Sequence, residues 1–177
     1  PGTVSGDTLY GLRRAGFNRL SLGAQSFQPT LLKTLERIHS AEEIDQAVAL
    51  ARTAGFENLN LDLMYGIPGE SEADLEQDLA AITALAPSHI SAYCLTIEHG
   101  TPFAERAAAG SLAPPGEEHL LEMTQRVSAR LQEQGYRRYE ISNFAHQGCE
   151  ARHNLAYWNG EDYLGIGAGA HSYSRSS

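Results

Sequence analysis

The chain has few cysteines, an excess of negative charge and no long apolar run, and each feature excludes a class of protein. Two cysteines among 177 residues cannot form a disulfide framework, and their scarcity fits a reducing compartment such as the cytoplasm. The net charge of −9 argues against nonspecific nucleic-acid binding. No run approaches the roughly 18 apolar residues of a membrane helix, so an integral membrane protein is not expected.

The chain also lacks a starting methionine, a visible signal peptide and a closing element at its end. It therefore reads as part of a longer protein. An apolar content of 42% is enough to bury one substantial core. We expect one domain, or a large piece of one.

An internal repeat joins a helix end, a glycine and a strand. Residues 13–22 (RRAGFNRLSL) match residues 52–61 (RTAGFENLNL), 39 positions later. Gly16 and Gly55 stand where a helix commonly ends in a left-handed residue. Repeated units of this kind build parallel sheets with right-handed crossovers.

Polar side chains alternate with apolar ones along the two repeated strands. In residues 58–65 the leucines alternate with Asn60 and Asp62, and residues 19–25 place Gln25 on a similar polar face. Strands of an open doubly wound sheet are usually apolar on both faces, so the pattern favours a (β/α) barrel with a polar interior. In such barrels the functional groups lie at the C-terminal strand ends.

Capping patterns and periodicity predict the remaining elements. Helices are predicted over residues 7–15, from Pro29 through Ile38, after capping boxes at Ser40 and Ser71, and over residues 117–134. Further strands are predicted over residues 89–96, 139–143 and 163–170, with a long loop over 98–116.

Gln25, Arg37 and Asp62 form the first candidate site. Arg37 follows Gln25 by 12 positions, across the intervening helix. A guanidinium and two polar strand ends would grip a ligand that carries a carboxylate, an amine and ribose hydroxyls. The alternative is a solvated Arg37 and an Asp62 that pairs with Arg19. Residues 65–69 (YGIPG) either bring backbone close to a ligand or form only a tight turn.

Residues 153–158 (HNLAYW) form the second candidate site and contain the only tryptophan. A porphyrin would stack on Tyr157 or Trp158, and His153 would ligate its iron. The alternative is a loop whose aromatic residues pack on the barrel. Residues 165–171 (GIGAGAH) lack the lysine of a phosphate loop and are interpreted as a close-packed strand. No nucleophile with a base and an orienting group is visible, so no catalytic residue is assigned.

Several segments resemble the oxygen-independent coproporphyrinogen III oxidase family of radical SAM proteins. They are, in order, Pro1-Gly2 and residues 19–27 (RLSLGAQSF), 37–39 (RIH), 62–69 (DLMYGIPG), 89–93 (HISAY) and 139–145 (YEISNFA). The resemblance covers essentially the whole chain. Residues 153–158 are similar to the signature of the haem-chaperone branch of that family, which the true oxidases do not carry in this form.

The resemblance implies an α/β fold, an incomplete parallel (β/α) radical SAM barrel, with residues 143–162 carrying the HNLAYW segment. It implies S-adenosylmethionine (SAM), a [4Fe–4S] cluster and haem as cofactors, and haem-acceptor proteins of the respiratory chain as partners, met in the cytoplasm or at the membrane periphery. Its implied SAM contacts are Gln25, Arg37 and Asp62. Its implied haem residues are His153, Asn154, Tyr157 and Trp158.

One departure from the family concerns the cluster. The family holds it with a CxxxCxxC motif, whereas Cys94 and Cys149 lie 55 positions apart. The family's glutamate ahead of Asn-Pro-Gly is also missing. We expect the first barrel strands to lie upstream of Pro1, and no metal ligand is assigned in this chain.

Two functions remain open from the sequence. The first is a haem chaperone that holds haem and passes it to acceptor proteins. The second is a radical SAM dehydrogenase that converts two propionates of coproporphyrinogen III to vinyl groups. Residues 153–158 favour the chaperone, and a barrel fragment of another SAM- or sugar-binding enzyme is a third interpretation.

Overall fold

The structure is a computed structural model and describes residues 1–175. Helices alternate with strands through most of the chain. In order, the elements are α1 (Gly6–Arg14), β1 (Arg19–Gln25), α2 (Pro29–Thr34), α3 (Ala41–Thr53), β2 (Asn58–Tyr65), α4 (Glu72–Ala84), β3 (His89–Cys94), α5 (Pro102–Ala108), α6 (Glu117–Glu133), β4 (Arg137–Arg138), β5 (Asn143–Ala145) and α7 (Arg152–Trp158).

The strands form one open sheet in the order β1-β2-β3-β5-β4. The first three strands are parallel, with Leu61 opposite Leu22 on one side and Ile90 on the other. β5 runs antiparallel to β3 and to β4. The parallel strands confirm the expected incomplete barrel, and the antiparallel hairpin that completes the sheet was not predicted.

One face of the sheet is apolar and covered by helices. Leu59, Leu61 and Leu63 of β2 are buried, and α3, α4 and α6 pack against β1, β2 and β3 respectively. Full burial of a leucine side chain stabilises the fold by about 2 kcal/mol. The opposite face carries Asn60 and Asp62, as the alternation predicted.

The repeated helix ends have the same hydrogen bonds in both copies. Gly16 and Gly55 have φ of 97° and 89°. The following N–H groups, of Phe17 and Phe56, donate to carbonyls five residues back, at 3.2 and 3.0 Å. This is the Schellman ending, so the repeat is confirmed as a structural one.

The helix expected from Pro29 through Ile38 ends early, at Thr34. Glu36 adopts a left-handed φ of 55°, and its N–H donates to the Lys33 carbonyl. The N–H of Arg37 donates to the Leu32 carbonyl at 2.9 Å. These bonds form the same Schellman ending, here without a glycine. Ile38 therefore lies outside the helix, and its side chain is 90% exposed.

Three other expectations are corrected. Residues 139–142 form a turn rather than a strand, because Arg138 and the Glu140 side chain bond to backbone groups there. Residues 163–170 form no strand beyond a bridge between Tyr163 and Tyr173. The segment 98–116 is not wholly a loop, since Thr101 caps α5 within it.

Candidate functional site

β1 ends in a tight turn centred on Gln25. The N–H of Ser26 donates to the Ala24 carbonyl at 2.9 Å, and Gln25 between them has a φ of 68°. The strand register also shifts between Gly23 and Gln25. A non-glycine residue in this γ-turn geometry is strained, and such strain is concentrated at ligand sites.

Asp78 of α4 holds this turn in place. Its Oδ1 accepts hydrogen bonds from the Phe27 N–H at 2.9 Å and from Gln28 Nε2 at 3.0 Å. The carboxyl group is fully buried, and this burial raises its pKa. The end of β1 is thereby tied to α4, and Gln25 is presented at the strand end.

Gln25 and Arg37 line the same open cleft of about 320 Å³, together with residues 1–3. The early end of α2 sets Arg37 directly after the helix, and His39 Nε2 contacts the Ala24 carbonyl at 3.0 Å. Gly23 lies beneath the Gln25 side chain. A Cβ built at Gly23 would lie 2.6 Å from Gln25 Nε2, so a larger residue there would require the Gln25 side chain to move.

Asp62 adjoins this cleft through the strand register, since it pairs with Gly23. Its Oδ1 accepts a hydrogen bond from Asn60 Nδ2 at 2.7 Å, and its Oδ2 accepts one from Ser21 Oγ at 3.3 Å. Over residues 1–175 it forms no ion pair with Arg19, contrary to the alternative interpretation. The half-buried carboxylate can still accept further hydrogen bonds from a ligand.

A buried hydrogen-bond relay continues from Asp62 toward α7. Because Asn60 Nδ2 faces the Asp62 carboxylate, Asn60 Oδ1 must accept the bond from His89 Nδ1, at 2.6 Å. Burial, and then the charge of Arg19, lower the pKa of His89 to about 4. The imidazole is therefore neutral near pH 7, with its proton on Nδ1.

Tyr139 carries the relay to α7. Its hydroxyl lies 2.7 Å from His89 Nε2 and donates there, because that nitrogen is unprotonated. The same oxygen accepts hydrogen bonds from the Ala151 N–H and from Asn154 Nδ2, both at 3.3 Å. Every donor in the path Asn154–Tyr139–His89–Asn60–Asp62 points toward the carboxylate.

The sequence interpretation missed His89 and Tyr139. His89 shows no metal-ligand spacing, and only the strand period contains a signal. In β3 that period puts His89 and Ser91 on one face, opposite Asn60 and Asp62 of β2. The contact with Tyr139 arises from the hairpin, which local patterns did not predict.

The second candidate segment forms a helix, α7, rather than a loop. His153 and Tyr157 contact edge to face with ring centroids 4.6 Å apart. The side chains of Tyr157 and Trp158 are 47% and 56% exposed, while Asn154 binds the relay. His153 lines a cavity with Asn18 and Asn58 at the strand starts, so it lies away from the strand end that carries Gln25.

Comparisons with known proteins identify relatives of this chain in sequence and in fold. Residues 1–82 match the model of the radical SAM superfamily. The structure is similar to coproporphyrinogen III oxidase from Escherichia coli, with a TM-score of 0.77 and 26% identity over 97% of this chain and 42% of that one.

Curated relatives extend the match along the chain. The haem chaperone HemW of Mycobacterium tuberculosis is 45% identical over 92% of this chain and 42% of its own length. HemW of Bacillus subtilis is 41% identical over 98% of this chain and 46% of its own length. The chain belongs to the radical SAM superfamily. It spans less than half the length of these relatives.

The side chains at and beside the cleft have polar groups of the kinds that SAM, the cofactor of the radical SAM family, would need. Arg37 offers donors for a carboxylate, and Asp62 offers acceptors for an amine or for hydroxyls. Gln25 offers both, on a strained turn at the rim of the cleft. The arrangement therefore suits a ligand with mixed polar groups.

This chain does not provide the three cysteine ligands of the family's [4Fe–4S] cluster, because its two cysteines are separate free thiols. Among residues 1–175 the one group with metal-ligand proximity is Glu72, His119 and Glu122. Glu72 already pairs with Arg126 at 2.9 Å, and the carboxylates are exposed. The group carries no metal assignment.

The YGIPG segment of this radical SAM chain makes a tight, buried turn. A Cβ at Gly66 would lie 2.6 Å from Leu120 of α6 and 3.3 Å from the Cys94 thiol. Glu70 closes the turn by accepting the Ile67 N–H at 2.9 Å, and burial raises its pKa to about 7. The glycine at position 66 permits close approach to protein atoms.

No helix in the described part of the chain combines the length and apolar character needed to cross a bilayer.

Proposed function

We propose that the full-length protein is a haem chaperone, which binds haem on α7 and delivers it to acceptor haemoproteins. The observation that carries the proposal is the exposure of His153, Tyr157 and Trp158 on one short helix. His153 and Tyr157 are four positions apart and share a face. Imidazole is an axial ligand for haem iron, and exposed aromatic rings offer a surface for the porphyrin.

The names of the relatives support this choice. Proteins from three bacteria that are 41–45% identical to the chain are haem chaperones. The structural likeness to coproporphyrinogen III oxidase supports the alternative, a dehydrogenase acting on a porphyrinogen.

In the same proposal, Gln25, Arg37 and Asp62 bind SAM. Arg37 binds the carboxylate, Asp62 accepts hydrogen bonds from the amine or the ribose hydroxyls, and Gln25 orients the ligand at the strand end. In radical SAM enzymes the cluster cleaves SAM and supplies a radical. The residues of this chain bind and orient SAM, and Asn60 of the relay fixes the Asp62 side chain through a hydrogen bond.

The separation of the two candidate sites favours the chaperone. His153 lies near the start of β1, whereas Gln25 is its last residue. A strand of seven residues spans about 20 Å. Hydrogen abstraction needs reacting atoms in near contact. A porphyrin ligated by His153 is therefore held apart from the SAM cleft.

The test is haem titration of full-length protein with an intact cluster. We expect His153→Ala to shift the Soret band or to weaken haem binding, and His119→Ala to do neither. His119 is a suitable control because it lies on the surface of α6, beside Glu122 at 3.6 Å.

If the two variants bind haem alike, the axial role of His153 is refuted. Turnover of coproporphyrinogen III by the reconstituted protein would replace the chaperone with the enzyme. Transfer of bound haem to a respiratory apoprotein, measured by its gain of activity, tests the delivery step.

A further inference from the structure

Arg19 is the first residue of β1, and its guanidinium has no counter-ion in the described part of the chain. Its Nε is buried and has no hydrogen-bond partner. None of the ion pairs among residues 1–175 includes it. An unpaired cation in a partly buried position is costly, and the missing partner is an anion.

The cavity beside Arg19 is suited to that anion. It has a volume of about 430 Å³ and is lined by basic and amide side chains from the strand starts and from α7. Its charged lining residues are Arg19, Arg152 and Glu150, and His153 also lines it. The cavity is therefore locally cationic in a protein whose net charge is −9.

The chemistry of the lining selects a carboxylate. A guanidinium forms two parallel hydrogen bonds to a carboxylate, and amide N–H groups such as that of Asn58 add further donors. A porphyrin ring would gain little from this polar lining. The exposed rings of Tyr157 and Trp158 lie on the same helix and offer the apolar surface instead.

We propose that this cavity binds a propionate of haem, with Arg19 and Arg152 as the carboxylate-binding residues. The inference rests on the proposed haem function and specifies how the ligand is oriented. His153 belongs to both parts of the arrangement, since it lines the cavity and contacts Tyr157. One propionate enters the cavity while the ring lies against the exposed aromatic side chains.

The experiment compares haem with haem dimethyl ester, in which both carboxylates are blocked. Full-length protein with an intact cluster and no haem is titrated with each compound, and the Soret band is followed. We expect wild-type protein to bind haem about tenfold or more tightly than the ester, as for a charge-assisted hydrogen-bond pair. Arg19→Met is expected to bind haem as weakly as the ester and to leave ester binding unchanged.

Two further variants keep the test decisive. Arg152→Met alters an exposed position of α7, so it should fold even if Arg19→Met does not, and it should reduce the preference for free carboxylates. Arg126→Met is the control, because Arg126 pairs with Glu72 and Glu76 on the other side of the sheet. It should bind both compounds as the wild type does.

Equal binding of haem and ester by the wild type would overturn the carboxylate site and leave haem binding intact. Equal weakening of both compounds by Arg19→Met and Arg152→Met would show a structural role, and would also overturn it. Failure of wild-type protein to bind either compound would overturn the proposed function, and this inference with it.

Discussion

Asp62 lies beside the cleft with its carboxylate held by two neighbouring donors. Asn60 and Ser21 both donate to its carboxylate, and its register partner on β1 is Gly23, which has no side chain. A carboxylate offers about four acceptor positions, so these two donors leave capacity for further hydrogen bonds. The residue is therefore suited to accept hydrogen bonds from a ligand.

Replacement of Asp62 by asparagine should weaken SAM binding in full-length protein with an intact cluster. The amide loses the charge, and its NH₂ group competes with Asn60 for acceptors. A hydrogen bond to a charged group is worth about 1.5–3 kcal/mol, so the affinity should fall roughly ten- to a hundredfold. Isothermal titration calorimetry measures the change.

Asp45→Asn is the matched control, since Asp45 is exposed on α3 and remote from the cleft. It should leave SAM affinity unchanged. An Asp62→Asn protein with wild-type affinity would remove Asp62 from the proposed site.

At the scale of elements, α7 is joined to the relay through Tyr139. It has seven residues and no side-chain cap, so its intrinsic stability is low. The Tyr139 hydroxyl binds both the N-cap backbone and Asn154. This one oxygen joins the hairpin, β3 and α7.

Tyr139→Phe should loosen α7. The change leaves His89 Nε2, the Ala151 N–H and the Asn154 amide without their shared partner, at a cost of about 1–3 kcal/mol. Amide hydrogen exchange over residues 151–159 should speed up on the order of tenfold or more. Mass spectrometry of the exchanged peptides reads this directly.

Tyr136→Phe provides the comparison, because Tyr136 is also buried and its hydroxyl donates to the Pro87 carbonyl at 2.8 Å. This variant should lower the free energy of unfolding without selectively speeding amide exchange in α7. If amide exchange over residues 151–159 is equally fast in both variants, Tyr139 does not position the helix.

The elements that sequence could predict are those set by local signals. Three such signals gave correct predictions, because each depends on neighbouring residues. They are the capping boxes at Ser40 and Ser71, the helix endings at Gly16 and Gly55, and the alternation in β2. The end of α2 at Thr34 was missed, since a left-handed glutamate has no sequence signature. The relay was missed because its links Asn60–His89 and His89–Tyr139 join residues 29 and 50 positions apart. The pairing of β5 with β3 was missed for the same reason, since it joins His89 to Ala145.

For the whole molecule, two buried groups make opposing contributions to stability as pH changes. Glu70 has a pKa of about 7 in the folded protein, against 4.5 for the free group. Its favourable contribution is complete below pH 4.5 and is lost as pH rises through 7. His89 has a pKa of about 4, against 6.5, so its contribution is complete above pH 6.5 and lost as pH falls through 4.

Glu70→Gln should therefore become progressively more stable than wild type as pH rises. The glutamine cannot ionise, while the buried glutamate must lose its proton. The difference in unfolding free energy should grow by up to about 3 kcal/mol between pH 5 and 8. Urea denaturation of full-length protein at both pH values checks it.

The exposed Glu57 supplies the control, since Glu57→Gln should change stability equally at both pH values. A Glu70→Gln curve parallel to that of the wild type would mean that Glu70 titrates normally in the folded protein.

The outer edge of β1 is unpaired in the described structure, because β1 pairs with β2 alone. Among residues 1–175 no strand pairs with that edge, although the Ala24 carbonyl near its end already accepts from the Ser26 N–H. A separately supplied extended peptide could dock there by strand addition, held by main-chain bonds and selected by the side chains it presents. The same edge would let copies of this chain pair with one another, so the polypeptide of residues 1–177 should self-associate more strongly as its concentration rises.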